Sequence, residues 1–549
     1  MMARVHSAST VRAAGPDAHQ AGGDATRGVT RRVLWVAFAI AAACGAPPRA
    51  PGTVVIASGA DLEGMNPLAT VHPLSRQVQR YALFVTLLRP DSALAAQPYF
   101  ARRWQWSPDR RALTLTTAAG VRWADGTPTT ARDAAFTIDA ARDPVTGYAR
   151  AGELASITNV TATDDSTLVL RFLTRQPTEP AILAELPLAP AHLLRDVPRA
   201  ELRRSAFALQ PVGNGPFVFV ERRAGQRWVF ARNPDFPAVL GGPPNIRRLV
   251  IAVVDEPATK FAGLVGGELD VAGIAPGMAT LAARDPSLHA LSYPVLFTHT
   301  LVFNPSRPPF DDVRVRRALS LSIDRERLVS LALAAQGAPA RGPVPLGHPF
   351  AAAFAIPRHA NEVMRADSLL SAAGWLRGAD GVRARGGRSL AFELLCVGSG
   401  DNLMEQLIQA DLSARGIRAD IRTRELGAFL AEARATPRRF DALVTGIPGD
   451  IALGYLGAMF DGRQRGGALD YANWHTALLD QRFADVRTAA SPDALRQAWI
   501  SVQSELDVEA PVAWLVHARG LQGITRRLSG VEMDLRGELA TVGRWRVAP

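Results

Sequence analysis

The sequence is almost devoid of lysine, and this scarcity bears on the kind of partner that the protein can have. Lys260 is the single lysine among 62 basic residues, so arginine supplies nearly all of the positive charge. The net charge of +11 could suggest a nucleic-acid partner, but a nucleic-acid-binding surface gathers its basic residues on one element. Because the arginines are spread along the whole chain, we predict no nucleic-acid partner.

Signatures of catalysis are also missing. The chain contains no Gly-x-Ser-x-Gly nucleophile motif, no Gly-x-x-x-x-Gly-Lys phosphate loop and no His-Glu-x-x-His metal motif. Its ten histidines are widely separated, and no spacing among them is typical of a metal site. We therefore predict a protein that is not an enzyme, with no catalytic residue, no metal site and no cofactor.

The N-terminal region carries a targeting signal. An arginine pair precedes an apolar run, residues 33–43, and Cys44 follows that run directly. A bilayer span needs about 20 residues, so the run is too short to cross and has the length of a signal-peptide core. The sequence Ala-Ala-Ala-Cys at residues 41–44 is similar to a lipobox, which predicts cleavage and acylation of Cys44. Ordinary cleavage near Ala43 or Ala46, without a lipid, is the alternative.

Cysteine is scarce, with only two residues in the chain. If Cys44 is acylated, Cys396 stands alone and no intrachain disulfide can form. Cys396 lies in the apolar run 390–397, which predicts a strand and a buried, inert thiol. Residues 45–52, rich in Ala and Pro, predict a short tether between the anchor and the folded body.

Hydrophobic periodicity indicates a mixture of helices and strands. A long amphipathic helix is predicted over residues 314–334. In the second half of the chain, predicted helices alternate with predicted strands, a pattern that argues for an α/β lobe. The helices are at 364–373, 403–415 and 426–435, and the strands are at 390–397, 417–423 and 440–444.

Four sets of short motifs follow one another along the body of the chain. They are Gly-Val-Arg-Trp-Ala-Asp-Gly-Thr-Pro-Thr-Thr-Ala-Arg-Asp (120–133); Pro-Val-Gly-Asn-Gly-Pro-Phe (211–217) with Arg-Asn-Pro (232–234); Leu-Val-Phe-Asn (301–304) with Pro-Phe-Asp-Asp-Val-Arg-Val-Arg-Arg-Ala (309–318) and Ile-Asp-Arg (323–325); and Ala-Gly-Trp (373–375) leading to Gly-Val-Arg (381–383). In this order, over residues 53–549, they resemble the family-five extracellular solute-binding proteins. That family comprises the dipeptide-, oligopeptide- and nickel-binding components of bacterial ABC importers.

The resemblance implies a periplasmic-binding-protein-like α/β fold of type II, cluster C. Two lobes would be joined by a two-stranded hinge that the chain crosses near Phe303-Asn304 and again near Trp514, and an α+β subdomain would be inserted in the first lobe. The implied domains are a signal peptide with a lipobox-like end (1–44), the tether (45–52), lobe I in three parts (53–95, 210–299 and 515–549), the inserted α+β subdomain (96–209) and lobe II (300–514).

Most of the matching residues have a structural explanation. Thr130 is suited to cap the helix predicted after it, and Asp133 would lie in that helix's first turn, where the dipole favours negative charge. Gly213 and Gly215 are expected to adopt backbone conformations closed to other residues. The motifs therefore identify the fold more firmly than they identify the ligand.

The resemblance also implies a ligand contact. Peptide-binding members of the family hold the ligand's N-terminal amine with an Asp, and Gly-Ile-Pro-Gly-Asp at residues 446–450 is similar to that segment, although Ile447 replaces the usual Trp. A buried ammonium needs a fixed carboxylate to offset its desolvation, so Asp450 is the predicted anchor. The alternative is that Asp450 is an exposed turn residue.

Three further residues are candidate ligand contacts. Thr70 and His72 follow Asn66-Pro67, where the family's first lobe edges the cleft, and Trp514 lies at the second predicted hinge crossing. Ordinary loop or core packing explains each of them equally well.

The implied function is capture of peptides for an ABC permease by a monomeric, membrane-anchored lipoprotein on the periplasmic side of the envelope. The membrane would be contacted through the lipid alone. Within the family the alternative is a non-peptide solute, such as a metal chelate, an opine-like molecule or an oligosaccharide. Outside it, a secreted hydrolase is disfavoured by the missing nucleophile motifs, and a sensory or chaperone-like binder without a transporter stays open.

Overall fold

The computed structural model describes residues 50–70, 72–354, 359–398 and 402–548. The predictions that concern the signal peptide, the lipobox-like sequence and Cys44 lie outside the described residues. Among the residues that are described, no helix combines the length and the apolar character that crossing a membrane would need.

The largest sheet in the described residues has eleven strands. Antiparallel pairs at its centre are flanked on both sides by parallel pairs, and the edge that ends in Phe217–Arg223 is antiparallel again, which gives a mixed α/β architecture. The strands run in the order Arg418–Arg424, Ala391–Val397, Ala442–Pro448, Leu288–Phe303, Val512–Thr525, Val271–Gly273, Thr53–Ser58, Arg248–Val253, Arg227–Arg232 and Phe217–Arg223, and Gly337–Pro339 pairs at the side with Val512–Thr525.

Two long strands join the halves of this sheet. Leu288–Phe303 and Val512–Thr525 pair antiparallel along almost their whole length. Their register is irregular between Pro294 and Thr298, where the proline has no N–H to donate to a ladder. Tyr293, just before the irregularity, belongs to the core of the first lobe. These strands therefore form the two-stranded connection that the family resemblance implies.

The side chains at the two predicted crossings pack in the core of the second lobe. Phe303 is fully buried in one core cluster of the second lobe, and Trp514 is buried in the cluster on the other face of that lobe's sheet. A side chain packed in a lobe's core moves with that lobe. The irregular stretch 294–298 and the paired residues 517–519 are thus better placed to bend than Phe303-Asn304 or Trp514.

A second, four-stranded antiparallel sheet lies within the segment predicted as the inserted subdomain. Its strands run in the order Ala101–Trp106, Ala112–Thr117, Thr167–Phe172 and Ile157–Ala162. Inward residues such as Leu115 and Leu170 are fully buried in the same continuous cluster as Val54 and Trp228 of the large sheet. The subdomain thus shares its core with the first lobe.

The helix of this subdomain, Ala131–Arg142, begins at a capping box. Thr130 Oγ1 accepts a hydrogen bond from the Arg132 N–H at 3.2 Å, and Asp133 Oδ2 accepts one from the Thr130 N–H at 2.8 Å. The other oxygen of Asp133 accepts from the Ala191 N–H at 2.9 Å. The predicted cap is confirmed, and Asp133 also holds a second segment against the helix.

Gly213 and Gly215 were predicted to adopt backbone conformations that only glycine favours, but neither has a positive φ. A Cβ on Gly213 would lie 2.4 Å from the carbonyl oxygen of Leu83, and one on Gly215 would lie 2.6 Å from that of Ala82. Between them, Asn214 accepts from the Val85 N–H at 2.9 Å. The prediction of special conformations is wrong. These positions exclude side chains because backbone lies against backbone.

The remaining elements surround the sheets. The other α-helices are Pro73–Val78, Ala191–Leu194, Pro257–Val265, Ala279–Arg284, Val313–Ser322, Arg325–Arg327, His359–Ala372, Leu403–Ala414, Leu426–Arg434, Gly454–Phe460, Ala477–Thr488 and Pro492–Glu509, with π-helical turns at Gln79–Leu83 and Leu328–Ala332. Short strands are Leu88–Pro90, Ala96–Pro98, Leu376–Arg377, Arg383–Arg385, Arg388–Ser389, Leu528–Ser529 and Arg546–Val547. The helices predicted at 364–373, 403–415 and 426–435 each overlap an observed helix.

The predicted continuous helix over residues 314–334 is wrong. Helix Val313–Ser322 ends, and Asp324 Oδ1 then accepts from the Arg327 N–H at 3.0 Å, which starts a new turn. Arg325 is buried, and its Nε donates to the carbonyl oxygens of Ala340 and Trp514 at 2.8 and 2.9 Å. These tertiary bonds hold the break in a segment whose periodicity would suit one helix.

Cys396 lies where the sequence predicts it. It is fully buried in strand Ala391–Val397. Burial raises the pKa of its thiol to about 11, with a smaller effect in the same direction from Glu405. A thiol with so little thiolate at neutral pH is a poor nucleophile.

Candidate functional site

Asp450 lies in the turn between strand Ala442–Pro448 and helix Gly454–Phe460. Its Oδ1 accepts from the Gly454 N–H at 2.9 Å, and its Oδ2 accepts from the Tyr455 N–H at 3.0 Å. These bonds fix the carboxylate, and each oxygen keeps a further lone pair. The residue is half-buried, so it is a held group that stays open on one side rather than an exposed turn residue.

The glycines of this segment bring it against the connection between the lobes. A Cβ on Gly446 would lie 2.0 Å from the ring of Phe297, and one on Gly449 would lie 3.1 Å from Cβ of Leu296. The Gly449 N–H also donates to the Leu296 carbonyl at 2.7 Å. Ile447, which replaces the family's usual Trp, is buried among apolar residues of the second lobe. Asp450 is therefore positioned directly beside the stretch that joins the lobes.

A second carboxylate faces Asp450 from the inserted subdomain. Glu153 lies in the short 3-10 helix Ala151–Leu154. The point that a Cβ on Gly454 would occupy lies 3.4 Å from Oε1 of Glu153 and also 3.4 Å from Oδ2 of Asp450. Carboxylates from two distant parts of the chain thus approach each other at one place.

Arginines hold Glu153 and connect it to a buried ion-pair network. Arg150 donates from Nε to Glu153 Oε1 at 2.5 Å and from Nη2 to its Oε2 at 2.8 Å. The same Nη2 donates to Glu185 Oε2 at 2.5 Å, and Arg80 Nη1 donates to Glu185 Oε1 at 2.6 Å. The side chain of Glu185 is only 3% exposed. The network therefore fixes Arg150, and through it Glu153, from the protein interior.

The two glutamates differ in their acidity. Burial raises the pKa of Glu153 to about 7, and Asp450 and Glu185 add to this effect while Arg150 opposes it. At Glu185 burial also acts to raise the pKa, but Arg150 and two further arginines outweigh it and lower the pKa to about 2. Glu185 therefore stays ionised at neutral pH, whereas Glu153 changes its charge there.

A small cavity adjoins the network, and two arginines at its wall have donors to spare. Its lining includes Thr70, Arg76, Tyr148, Arg150, Glu185 and Pro187. The guanidinium of Arg76 lies 3.9 Å from Glu185 Oε1, beyond hydrogen-bond distance. Arg150 Nη1 is buried and has no hydrogen-bond partner among the described residues.

The other three predicted ligand contacts, Thr70, His72 and Trp514, do not lie together in the structure. Thr70 is buried at the cavity wall, and its Oγ1 donates to Glu63 Oε2 at 2.6 Å. His72 caps helix Pro73–Val78, with its Nδ1 accepting from the Ser75 N–H at 3.3 Å. Thr70 therefore lies beside the charged network, whereas the ring of His72 is engaged at a helix start.

Trp514 is separated from the cavity that Thr70 lines. It is buried in the second lobe and meets Phe460 edge-on, with ring centroids 6.5 Å apart. It lines another small cavity, together with Arg317, Arg341 and Asp507. A ligand contact at Trp514 or at His72 stays a prediction.

Sequence reasoning missed Glu153, Arg150 and Glu185. The spacing of Arg150 and Glu153 is typical of a solvated i,i+3 pair on a helical turn. Glu185 is the only charged residue in the apolar stretch 180–191, and this isolation is the one signal in the sequence for a buried carboxylate. The partners of Glu185 and the approach of Glu153 to Asp450 depend on segments that come together only in the fold.

The family described as bacterial extracellular solute-binding proteins, family 5 Middle, matches residues 95–460, which is more than half of the chain. The chain belongs to this family. The resemblance drawn from the sequence motifs is confirmed, and the solute-binding protein serves transport and is not an enzyme.

Individual relatives agree with the assignment. Over 520 residues the solute-binding protein is 26% identical to Protein XP55 of Streptomyces lividans, with 92% of each chain covered. Among solved structures it is similar to NikZ from Campylobacter jejuni in complex with Ni(L-His), at 22% identity and a TM-score of 0.76, covering 91% of this chain and all of the other. It is also similar to the oligopeptide-binding protein AppA from Bacillus subtilis in complex with a nonapeptide, at 21% identity and a TM-score of 0.75, covering 92% of this chain and all of the other. These likenesses confirm the predicted two-lobed α/β fold.

Proposed function

We propose that this solute-binding protein captures peptides between its lobes and delivers them to the transmembrane subunits of an ABC importer. The carboxylate of Asp450 carries the proposal, because it is fixed by two backbone N–H groups and lies beside the connection of the lobes. The likeness to AppA, whose structure contains a nonapeptide, supports a peptide as the ligand class.

In this proposal Asp450 accepts hydrogen bonds from the ligand's N-terminal ammonium. An ammonium has three donors and no acceptor, and its transfer from water into a cleft is costly unless a charged acceptor meets it. Edge strands of the cleft would add backbone hydrogen bonds, which give affinity without strong sequence preference. Thr70 is a further contact at the neighbouring cavity, while His72 and Trp514 are secondary candidates.

The lobes would close by bending in the irregular stretch 294–298. The proposal keeps the domain limits set out from the sequence, with the inserted subdomain at 96–209 and lobe II at 300–514. A monomer suffices, since both lobes belong to one chain. Acylation of Cys44 would hold the protein on the periplasmic side of the membrane, with residues 45–52 as its tether.

A second candidate ligand is a solute that carries carboxylates, such as a metal chelate. The spare donors of Arg76 and Arg150 at the cavity wall favour it, because guanidinium groups suit carboxylates. NikZ, which was solved with Ni(L-His), shows that a structure of this fold can carry such a molecule.

Mass spectrometry of material released from the purified, denatured protein would test the proposal. We expect peptides with free N-termini in the released fraction, and calorimetric titration with a matching synthetic peptide should give a saturable signal. Nickel–histidine complex, titrated in parallel, should give none. Saturable binding of the chelate without any peptide binding would overturn the peptide proposal and establish the second candidate.

A further inference from the structure

We propose that Glu153 is a second carboxylate for the ligand's ammonium, which makes the site selective for solutes with a free primary amine. This inference rests on the proposed function, in which Asp450 binds the N-terminus of a peptide. It adds a specificity-determining residue from the inserted subdomain to an anchor in the second lobe.

The geometry of the two carboxylates supports a shared cation. One point, the Cβ position of Gly454, is 3.4 Å from an oxygen of each carboxylate. Because each oxygen lies 3.4 Å from this one point, the two oxygens are at most about 6.8 Å apart, and Gly454 places no side chain between them. An ammonium nitrogen bonds carboxylate oxygens at about 2.7–2.9 Å, so one that lies outward of Gly454 bridges both acids when their oxygens are within about 5.6 Å of each other.

The hydrogen-bonding capacity also fits. Within the described residues the carboxylate of Asp450 accepts only from the backbone N–H groups of Gly454 and Tyr455, one on each oxygen. Glu153 accepts from Arg150, again one bond on each oxygen. A carboxylate oxygen offers about two acceptor positions, so each acid keeps capacity for a donor from the ligand.

The position between the two acids suits a cation. The arginines of the network, Arg76, Arg80 and Arg150, lie against Glu185, and among them Arg150 alone also bonds Glu153. No guanidinium among the described residues forms an ion pair with Asp450. Two like charges brought together in a half-buried place disfavour each other, and a ligand cation between them removes that cost.

The pairing would also link ligand capture to closure. Glu153 belongs to the subdomain that shares the first lobe's core, whereas Asp450 belongs to the second lobe. A cation that contacts both acids binds the closed arrangement better than an open one, so it shifts the population toward closure. A neutral or acetylated N-terminus supplies no such advantage.

Calorimetric titration of the wild type, Glu153→Gln and Glu201→Gln with a free and an N-acetylated peptide would test this. Glu201 is an exposed glutamate of the same subdomain, so its variant matches the charge change. We expect Glu153→Gln to weaken free-peptide binding about tenfold, which corresponds to about 1.4 kcal/mol, and to leave acetylated-peptide binding unchanged. Glu201→Gln should behave as the wild type.

The outcomes separate the two proposals. If the wild type prefers the free over the acetylated peptide and Glu153→Gln keeps that ratio, Glu153 is not an amine ligand, although the proposed function stands. If the wild type binds neither peptide, the proposed function itself fails. Should Glu153→Gln lose its thermal transition, Glu153→Asp replaces it. This variant keeps the charge on a shorter side chain and should reduce the preference by a smaller factor.

Discussion

The carboxylate of Asp450 has a fixed position and no ion-pair partner among the described residues. These two properties determine how much peptide affinity the protein should lose when the carboxylate is removed. Removing one partner of a buried charge pair costs about 3–5 kcal/mol, because the other charge is left without a partner. We therefore expect Asp450→Ala to weaken binding of a free peptide by roughly two to three orders of magnitude. Calorimetric titration of both proteins measures the difference.

The control is the acetylated form of the same peptide. Acetylation should weaken wild-type binding about as much as the substitution does, and it should change little in Asp450→Ala, because both changes remove the same contact. A fold defect would lower the affinity for both ligands alike. Equal affinity of the wild type for free and acetylated peptide would mean that Asp450 does not bind an amine.

The acidity of Glu153 predicts a pH dependence of binding. Glu153 faces Arg150, Glu185, Tyr148 and Asp450, and its pKa is raised to about 7. As the pH rises through this value the residue loses a proton and becomes negative, so affinity for a cationic amine should rise several-fold. At higher pH affinity should fall again, because an α-amine loses its own proton near about 8. Titrations across this range should give a bell-shaped curve.

Glu153→Gln is the matched variant for this curve. The substituted side chain cannot ionise, so the rise through neutral pH should disappear while the fall at high pH remains. A rise of unchanged size in Glu153→Gln would assign it to another group and remove Glu153 from the explanation.

At the scale of elements, the Gly-Asn-Gly turn shows how backbone packing sets the sequence. A Cβ on Gly215 would lie 2.6 Å from the carbonyl oxygen of Ala82 and 2.8 Å from that of Leu83. Backbone cannot move aside as a flexible side chain can, so Gly215→Ala should destabilise the protein by about 1–3 kcal/mol or more. Urea denaturation measures the change in the free energy of unfolding.

Gly277 provides the control for this substitution. Nothing lies within 4 Å of its Cβ position, and its φ is not positive. Gly277→Ala should therefore change the free energy of unfolding by no more than about 0.5 kcal/mol. Equal effects at the two glycines would show that helix or loop propensity, not close approach, is responsible.

At the scale of the whole molecule, attachment and binding are separate functions of separate parts of the chain. The proposed lipid anchor depends on Cys44, whereas the proposed ligand site consists of residues from both lobes. Cys44→Ser should move the protein from the membrane fraction to the soluble fraction without altering its peptide affinity. Fractionation of cells followed by calorimetry of the soluble variant checks both statements, and unchanged membrane association would contradict the anchor.

The sequence by itself determined the features that depend on neighbouring residues. The capping box of Thr130 and Asp133 spans a single turn, so its hydrogen bonds could be read from four consecutive residues. The buried strand around Cys396 followed from a local apolar run. Family membership followed in the same way, because each motif is a short contiguous stretch.

Tertiary structure decided the features that depend on distant segments. The periodicity of residues 314–334 suits one helix, yet the buried hydrogen bonds of Arg325 to Ala340 and Trp514 accompany a break. Gly213 and Gly215 are required by the backbone of the π-helical turn Gln79–Leu83, which lies far away in the sequence. The approach of Glu153 to Asp450 is of the same kind. A carboxylate's partners and acidity are set by whatever the fold places within a few ångströms, and local sequence carries no record of that neighbour.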